Sequence, residues 1–311
     1  MQDEHDENRD EAAFGRIVAR AGEALSELMA RPLEPGLYLV ATPIGNLADI
    51  SLRALAVLAR ADVIAAEDTR HSKKLLSHFA ISAEMTAYHE HNAERERPKL
   101  IARLRAGESI ALISDAGTPL ISDPGYKLVR EALDAGIAVR SIPGASAVLA
   151  ALTSSGLPTD TFLFAGFLPP KQAARRNRLE QVKTAPATLI FFETGPRLGA
   201  SLTDMAVVLG PRAAVIAREL TKLHETISRG SLDKLAAEAE ASGMLKGEFV
   251  VVVGPPEAEE TDVSDAKIVE QLEKALNLES FRDAVRSVAE VLQVPRSRVY
   301  EIGLKLKRTD G

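Results

Sequence analysis

Acidic side chains follow apolar segments of this chain at positions where they could transfer a proton. The apolar run 63–66 ends in the pair Glu67-Asp68, and the run 189–192 ends in a further glutamate. Carboxylates beside a ligand cleft act as general acids or bases in many enzymes. Neighbouring opposite charges such as Asp68 and Arg70 often only pair with one another, however. The stretch His89-Glu90-His91 contains a further candidate, but such polar stretches are often merely solvated. The candidate catalytic residues are Glu67, Asp68, Arg70, Glu90 and Glu193.

Turns rich in small residues follow three further apolar runs. They come after the runs 37–41 and 110–113 and after the run that ends at residue 142. Small residues let a backbone approach a ligand closely, and none of the turns matches a dinucleotide or P-loop fingerprint. The alternative for the stretch 114–125 is an ordinary loop in which Asp123 caps the next helix. The candidate contacts of a sizeable polar ligand are Pro43, Asp115, Ala116, Gly117, Thr118, Ile121, Ala145 and Ser146.

The elements that must position these residues alternate from residue 36 onwards. Apolar runs predict buried strands, and segments between them, such as 99–106 and 126–135, have helical spacing. Asp49 or Ser51 is expected to cap the first of these helices. The alternation predicts an α/β fold with largely parallel sheets, in which ligands bind outside the carboxyl ends of the strands. The expected strands cover residues 37–41, 63–66, 110–113, 137–142, 162–166, 188–192, 213–217 and 249–253.

Length and composition predict a globular protein of two or three domains. The chain has 311 residues, and none of its apolar runs approaches the roughly 20 residues of a membrane helix. It has no cysteine, so disulfides and thiolate metal sites are excluded, and its six histidines form no metal motif. We expect a cytoplasmic enzyme with no metal and no secretory signal. Residues 1–12 carry a net charge of −5, which leaves −1 for the rest of the chain.

Composition shifts divide the chain into four expected parts. Near the C-terminus, a helix at 282–293, a turn at 294–295 and a second helix through Leu306 resemble a helix-turn-helix unit. The parts are an acidic, partly disordered or helical extension (1–35), an N-terminal α/β domain (36–150), a C-terminal α/β domain (151–256) and a helical tail (257–311).

Basic residues cluster in two places, in an expected loop at 171–178 and in the tail. Charge runs are usually solvated faces, but two clusters on a nearly neutral body favour contact with nucleic-acid phosphates. The candidate contacts in the loop are Lys171, Arg175, Arg176 and Arg178, and those in the tail are Arg296, Arg298, Lys305, Lys307 and Arg308.

The order of the motifs resembles the tetrapyrrole methylase superfamily of S-adenosylmethionine-dependent methyltransferases. Within that superfamily, E-D-T-R-H-S, H-E-H-N and the tail resemble the group that methylates the ribose 2′-hydroxyl of a cytidine in small-subunit (16S) ribosomal RNA. The motifs that carry the resemblance are T-P-I-G-N-L at 42–47, E-D-T-R at 67–70, S-D-A-G-T-P at 114–119, P-G-A-S-A at 143–147 and F-F-E-T at 191–194.

The resemblance implies a two-domain class III methyltransferase fold with a helix-turn-helix-like extension. It implies that S-adenosylmethionine binds in the cleft between the α/β domains, at the candidate ligand contacts named above, and that no metal takes part. Where the superfamily has a G-D-P loop, this chain has Gly117-Thr118-Pro119, and we expect Asp115 to replace the missing aspartate. The implied partners are the ribosomal RNA, within the assembled 30S subunit, and a second copy of the chain in a homodimer.

Two other functions remain open at the level of sequence. A corrin-precursor methylase of the same superfamily would act on a small anionic macrocycle, which needs neither the basic stretch nor the tail. A DNA-binding regulator would use the tail as its helix-turn-helix and the α/β body as a ligand sensor. Methyl transfer to a ribose hydroxyl requires in-line alignment and removal of one proton, which the candidate carboxylates could supply.

Overall fold

The computed structural model describes residues 2–243, 245–256, 263–292 and 294–309, with side chains from residue 13 to residue 306 within those ranges. Contacts divide the chain into one unit that ends at Pro255 and a second that begins at Pro256. The strands are β1 (Gly36–Val40), β2 (Val63–Ala66), β3 (Met85–Ala87), β4 (Ser109–Ile113), β5 (Val139–Ile142), β6 (Phe162–Phe167), β7 (Thr188–Thr194), β8 (Ala213–Arg218), β9 (Thr226–Ser231) and β10 (Glu248–Val253).

The helices alternate with these strands and then follow one another in the second unit. No helix of the described residues is long and apolar enough to cross a membrane. The helices are α1 (Gln2–Ala30), α2 (Leu52–Arg60), α3 (Thr69–His78), α4 (Ala93–Arg105), α5 (Tyr126–Asp134), α6 (Ala147–Ser155), α7 (Gln172–Val182), α8 (Gly195–Leu209), α9 (Leu232–Ala241), α10 (Asp265–Leu276), α11 (Phe281–Leu292) and α12 (Arg296–Thr309).

The first sheet is entirely parallel, with strand order β3-β2-β4-β1-β5. Its strands are continuous apolar runs because both faces are covered. Alternate residues of β2, such as Ile64 and Ala66, pack with α2, while Val63 and Ala65 pack with α4 and α5. Ser51 caps α2 by accepting a hydrogen bond from the Ala54 backbone N–H, which selects it over Asp49 as the cap.

The switch point of this sheet lies between β1 and β4. The chain leaves β1 toward β2 on one side and leaves β4 toward β5 on the other, so a crevice opens at their carboxyl ends. Two backbone hydrogen bonds bridge the crevice: the Thr42 N–H donates to Gly117 O (2.9 Å), and the Gly117 N–H donates to Thr42 O (3.0 Å). The two turns rich in small residues are thereby fixed against each other.

The second sheet differs from the sequence prediction. Its order is β6-β7-β10-β8-β9, and only β6 and β7 are parallel; the other three pairings are antiparallel. The prediction of largely parallel sheets is therefore wrong for this half. The physical reason is that β8 and β9 are joined directly by residues 219–225, and β10 then returns between β7 and β8. Strands β3 and β9 were not expected, because both are short or mostly polar edge strands with no apolar run.

Helix α6 joins the two sheets and packs on the second. Ser146 caps its start by accepting from the Leu149 N–H, and Gly156 ends it at φ +77°. Val148, Ala151 and Leu152 contact the apolar face of β8 and β10. The helix spans the boundary between residues 150 and 151 at which we propose to divide the two α/β domains.

Helices also form both ends of the described part of the chain. The acidic N-terminal part belongs to α1; the side chains of residues 1–12, like those of Lys307 and Arg308, lie outside the described residues. In the second unit α10, α11 and α12 enclose an apolar core that includes Ile268 and Val285, so the two predicted tail helices are present, with a third before them. Arg298 of α12 donates to Val263 O (2.9 Å) and to the Asp265 carboxylate (2.7 Å).

Close packing at the start of α8 generates a stability prediction. A Cβ atom on Gly195 would lie 2.1 Å from Leu245 O, whereas a Cβ on Gly199 of the same helix would meet nothing within 4 Å. Gly195→Ala should therefore lower the free energy of unfolding by about 1–3 kcal/mol through overpacking. Gly199→Ala should raise it by roughly 0.5–1 kcal/mol, because alanine loses less backbone entropy in a helix. Urea unfolding of both variants tests the pair, and equal effects would contradict the packing.

Candidate active site

A cavity of about 350 Å³ lies at the carboxyl ends of the first sheet's strands. The second sheet supplies its opposite wall, through residues of β6, β7, β8 and β10. Of the candidate residues, the cavity is lined by Glu67, Asp115, Ala116, Gly117, Thr118, Ile121, Ser146 and Glu193. The lining residues that sequence reasoning did not select are Ile44, Ser122, Asp123, Ala147, Val148, Phe167, Phe192, Thr194, Ala217, Leu220, Glu248, Phe249 and Val250.

Two candidate ligand contacts are not among the lining residues. Pro43 is buried beside the bridged Thr42, and the carbonyl oxygen of Ala145 accepts a hydrogen bond from Thr118 Oγ1 at 3.2 Å. The hydrogen bond to Ala145 joins the turn after β4 to the turn after β5. The structure thus gathers six of the eight candidates around one cavity.

Three carboxylates, Glu67, Asp115 and Asp123, meet at the acidic side of the cavity. The pKa of Glu67 is raised, first by burial and then by the negative charges of Asp123 and Asp115. Burial likewise raises the pKa of Asp123, and Asp115 adds to the effect although a hydrogen bond with Ser114 opposes it. Asp123 is not the cap of α5, which begins after Gly125. Raised pKa values make Glu67 and Asp123 stronger proton acceptors than ordinary carboxylates.

Asp68, next to Glu67, has the opposite electrostatic environment. Its Oδ1 atom accepts from the Arg70 backbone N–H (2.8 Å) and caps α3, while Oδ2 lies 2.8 Å from an Arg70 guanidinium nitrogen. The hydrogen bonds from Arg70 hold the pKa of Asp68 well below its usual range. Neither Asp68 nor Arg70 lines the cavity. This pair fixes the start of α3, and we do not assign it proton transfer.

Glu193 lines the cavity, but its carboxylate is committed to the fold. Ser201 Oγ donates to Oε2 at 2.5 Å, the Thr194 N–H donates to Oε1 at 2.9 Å, and Arg197 Nε lies 3.3 Å from Oε1. The side chain is fully buried. Both carboxylate oxygens are therefore engaged within the fold, and we do not assign Glu193 as the general base.

Glu90 is exposed on the turn that follows edge strand β3 and is not among the lining residues. Asn92 organises that turn: its Oδ1 accepts from the His89 N–H at 2.9 Å, and its Nδ2 donates to Ala87 O at 2.9 Å. In the described part of the chain, no group of three or more His, Asp or Glu side chains could hold a metal ion.

The basic stretch is helix α7, so the prediction of a loop at 171–178 is wrong. The prediction of Arg175 as a phosphate contact is also wrong, because its side chain is buried and ion-paired with Asp204 at 2.6 Å. Arg176 binds the same carboxylate through Nε but is 42% exposed. Arg178 donates to Gln181, and Lys171 is exposed just before the helix. Sequence patterns cannot show these pairings, since Asp204 lies 29 residues beyond Arg175.

Two strained loops flank the cavity. Leu120 (φ +72°) and Ser122 (φ +66°) follow β4, and Glu219 (φ +52°) and Thr221 (φ +65°) follow β8. Left-handed backbone is unfavourable for residues with a Cβ, and such strain concentrates at ligand sites. The second loop also contacts the first sheet's side, because the Asn46 N–H donates to Thr221 Oγ1 at 3.1 Å.

The cavity lies where the two sheets of the first unit meet, and comparison with known proteins shows to which family the chain belongs. Residues 36–236 match the model of the Tetrapyrrole (Corrin/Porphyrin) Methylases. A ribosomal RNA small subunit methyltransferase I from Mesorhizobium japonicum is 54% identical over 92% of this chain and 97% of its own length. One of the same description from Pseudomonas aeruginosa is 48% identical over 86% of this chain and 96% of its own length.

A solved structure shows the same fold. The uroporphyrin-III C-methyl transferase from Thermus thermophilus, complexed with S-adenyl homocysteine, has a TM-score of 0.51 and 20% identity, covering 70% of this chain and 97% of that one. The chain belongs to the tetrapyrrole methylase family and, within it, to the family of the ribosomal RNA small subunit methyltransferases I.

The residues of the cavity fit S-adenosylmethionine, the methyl donor of this family. The donor carries a positively charged sulfur and an ammonium group, which suit the acidic side formed by Glu67, Asp115 and Asp123. Its adenine ring suits the opposite apolar wall, to which Leu220 and Phe249 contribute. The backbone of residues 115–118 would hold it at the switch point.

The conformation of Gly117 generates a prediction about donor affinity. Gly117 has φ +76°, and a Cβ there would lie 3.1 Å from Ile44 Cγ2 in the cavity wall. Gly136 has φ +72° and nothing within 4 Å of its Cβ position, so it is the matched control. Both Gly→Ala variants should lose about 1–2 kcal/mol of stability from left-handed strain. Only Gly117→Ala should also weaken binding of S-adenosylmethionine in calorimetric titration; unchanged affinity would contradict this placement of the donor.

Proposed function

We propose that this protein transfers a methyl group from S-adenosylmethionine to the ribose 2′-hydroxyl of a cytidine in the small-subunit ribosomal RNA. The observation that carries the proposal is a cavity at the β1–β4 switch point where a partly buried carboxylate, Glu67, lies beside an acidic side suited to a cationic donor. The names of the relatives support the RNA substrate. By family resemblance we also propose a cytoplasmic homodimer that acts on the assembled 30S subunit.

When bound, S-adenosylmethionine supplies a methyl group that its positively charged sulfur activates. What the chain must supply is alignment, exclusion of water and a proton acceptor. Residues 115–118 and Ser146 would hold the donor from the first sheet's side, while Phe167 and Phe192 exclude water from the opposite wall. The acidic side compensates for the positive charge of the donor before reaction.

Glu67 is our candidate for the general base. A ribose hydroxyl is a weak acid, so a carboxylate with a raised pKa accepts its proton better than an ordinary one. Burial and the neighbouring Asp123 supply that rise in pKa at Glu67, whereas the hydrogen bonds of Asp68 and Glu193 commit those carboxylates elsewhere. For the RNA, the side chains that extend toward solvent from α7 and its start, Lys171, Arg176 and Arg178, remain the candidate phosphate contacts.

A methyl-transfer assay tests the function. The protein is incubated with radiolabelled S-adenosylmethionine and, in separate reactions, undermethylated 30S subunits, free 16S RNA, a tetrapyrrole precursor or duplex DNA. We expect label in the 30S subunits, and nuclease digestion should release it as 2′-O-methylcytidine. Label only in the tetrapyrrole would establish the alternative corrin-precursor activity. DNA binding without transfer to any acceptor would establish a regulator and overturn the proposal.

The environment of Glu67 predicts the pH dependence. Activity requires its deprotonated form, so the rate should fall as the pH drops through a pKa above the ordinary value for glutamate, about 4.3. Asp123→Asn removes a negative neighbour, which lowers the pKa of Glu67 and should move the acidic limb of kcat to lower pH. Asp134→Asn, at the exposed end of α5, is the control and should leave the limb in place.

Glu67→Gln should abolish the fall of kcat at acidic pH. It should also reduce kcat by roughly 10²–10⁴-fold, the usual contribution of a general base. Donor affinity, measured by calorimetry, would show whether the cavity of the Gln variant is intact. Full activity of Glu67→Gln would eliminate this residue as the base.

A further inference from the structure

Asp204 of α8 is a buried carboxylate that binds two arginines of α7. Its Oδ2 atom accepts from Arg175 Nε at 2.7 Å and lies 2.6 Å from a terminal guanidinium nitrogen of the same residue. Its Oδ1 atom accepts from Arg176 Nε at 2.7 Å and from Gln172 Nε2 at 3.3 Å. The Asp204 side chain is 1% exposed. One negative charge thus faces two positive charges.

The two arginines use their guanidinium groups differently. Arg175 is almost completely buried, and its Nη1 donates to Pro170 O at 3.0 Å, so its role is internal. Arg176 is 42% exposed, and only its Nε has a hydrogen-bond partner among the described residues. Asp204 therefore fixes one edge of the Arg176 guanidinium and leaves the other edge and the excess positive charge toward solvent.

The location of α7 connects this arrangement with the cavity. The helix follows β6, whose last residue, Phe167, lines the cavity. Arg197, near the start of α8, donates to Leu168 O, and Arg175 donates to Pro170 O, so the short link from the cavity wall to α7 is held at two points. Arg176 extends from the second turn of that helix, just beyond this link.

Stability alone does not explain a buried carboxylate with two arginines. Removing charges from water costs more than their mutual attraction usually returns, and apolar residues of similar volume often stabilise a protein as well or better. A guanidinium held in advance, by contrast, loses less side-chain entropy when it binds a phosphate, and its planar fork suits phosphate oxygens. The arrangement is therefore better suited to positioning a cation than to stabilising a core.

We propose that Asp204 is a positioning residue that fixes Arg176 for contact with a phosphate of the RNA substrate. This inference rests on the proposed function, and it divides the basic stretch into an internal residue, Arg175, and a substrate contact, Arg176. Asp204 would act through Arg176 and would not itself touch RNA.

The first experiment compares Arg176→Gln with Lys183→Gln, which removes the same charge at the other end of α7. Methylation of 30S subunits is measured at several salt concentrations. Arg176→Gln should raise KM for the subunits roughly tenfold, leave kcat and donor affinity unchanged, and reduce the slope of log affinity against log salt by about 0.7–0.9. Lys183→Gln should change neither KM nor the slope. An unaltered KM and slope for Arg176→Gln would overturn the proposal.

The second experiment tests the dependence of Arg176 on Asp204. Asp204→Glu keeps the buried charge but moves the carboxylate by one methylene group, so it is safer for folding than Asp204→Asn, which leaves Arg175 without a counter-charge. Asp204→Glu should raise KM in the same direction as Arg176→Gln. In the double variant the KM should equal that of Arg176→Gln alone, because the guanidinium that Asp204 positions is already absent.

If the effects of Asp204→Glu and Arg176→Gln on log KM were additive in the double variant, Asp204 would be merely structural and the positioning role would be overturned. The same would follow if Asp204→Glu lowered the thermal midpoint with KM unchanged. Failure of the proposed function looks different, because the unaltered protein would then methylate no 30S subunits. If the unaltered protein methylates 30S subunits normally and Arg176→Gln, Asp204→Glu and the double variant all leave KM unchanged, only the inference about Asp204 is removed.

Discussion

The two backbone hydrogen bonds between Thr42 and Gly117 are the constraint on which the candidate site depends. They join the exits of β1 and β4, the adjacent strands from which the chain departs in opposite directions. The side chains of these two turns are mostly small, so without the two hydrogen bonds little would fix the position of the turns. With them, Ile44 and Asp115 are held on one wall of the cavity, and the left-handed φ of Gly117 explains why a residue without Cβ occupies this position.

Neighbouring carboxylates acquire different roles from this arrangement. Glu67 and Asp68 are consecutive, yet the pKa of the first is raised and that of the second is lowered, because one is buried near Asp123 and the other binds Arg70. A pair of groups with pKa values moved apart is a recurring feature of sites that transfer protons. The two cavity acids of the second sheet are held by other groups: Glu193 accepts from Ser201, and Glu248 is ion-paired with Lys222 at 2.7 Å. The first sheet's side thus supplies the carboxylates of the acidic side of the cavity, and the second sheet supplies most of its apolar surface.

Sequence patterns predicted what depends on local composition and missed what depends on distant contacts. Buried strands such as β2 and β4 were predictable because runs covered on both faces must be apolar throughout. Strand β9 has no continuous apolar run, and the apolar run of β10 does not show whether the strand is parallel or antiparallel to its neighbours. The α/β class and the turns at the cavity followed from alternation and from small residues. The burial of Arg175 did not, since its cause is a carboxylate on another helix, and a run of arginines looks alike whether it is solvated or ion-paired.

Backbone strain gives an independent reason to place function at this cavity. Among the described residues, five with side chains have positive φ, and four of them lie in the loops after β4 and β8 that flank it. Each such residue costs on the order of 1–3 kcal/mol, which the surrounding contacts must offset. Around Glu219 those contacts include the Glu248 N–H at 2.8 Å and Lys222 Nζ at 3.2 Å. Strain repeated on both sides of one cavity, and secured in this way, is difficult to explain by folding alone, whereas a ligand gripped between the two loops requires both to keep a fixed shape.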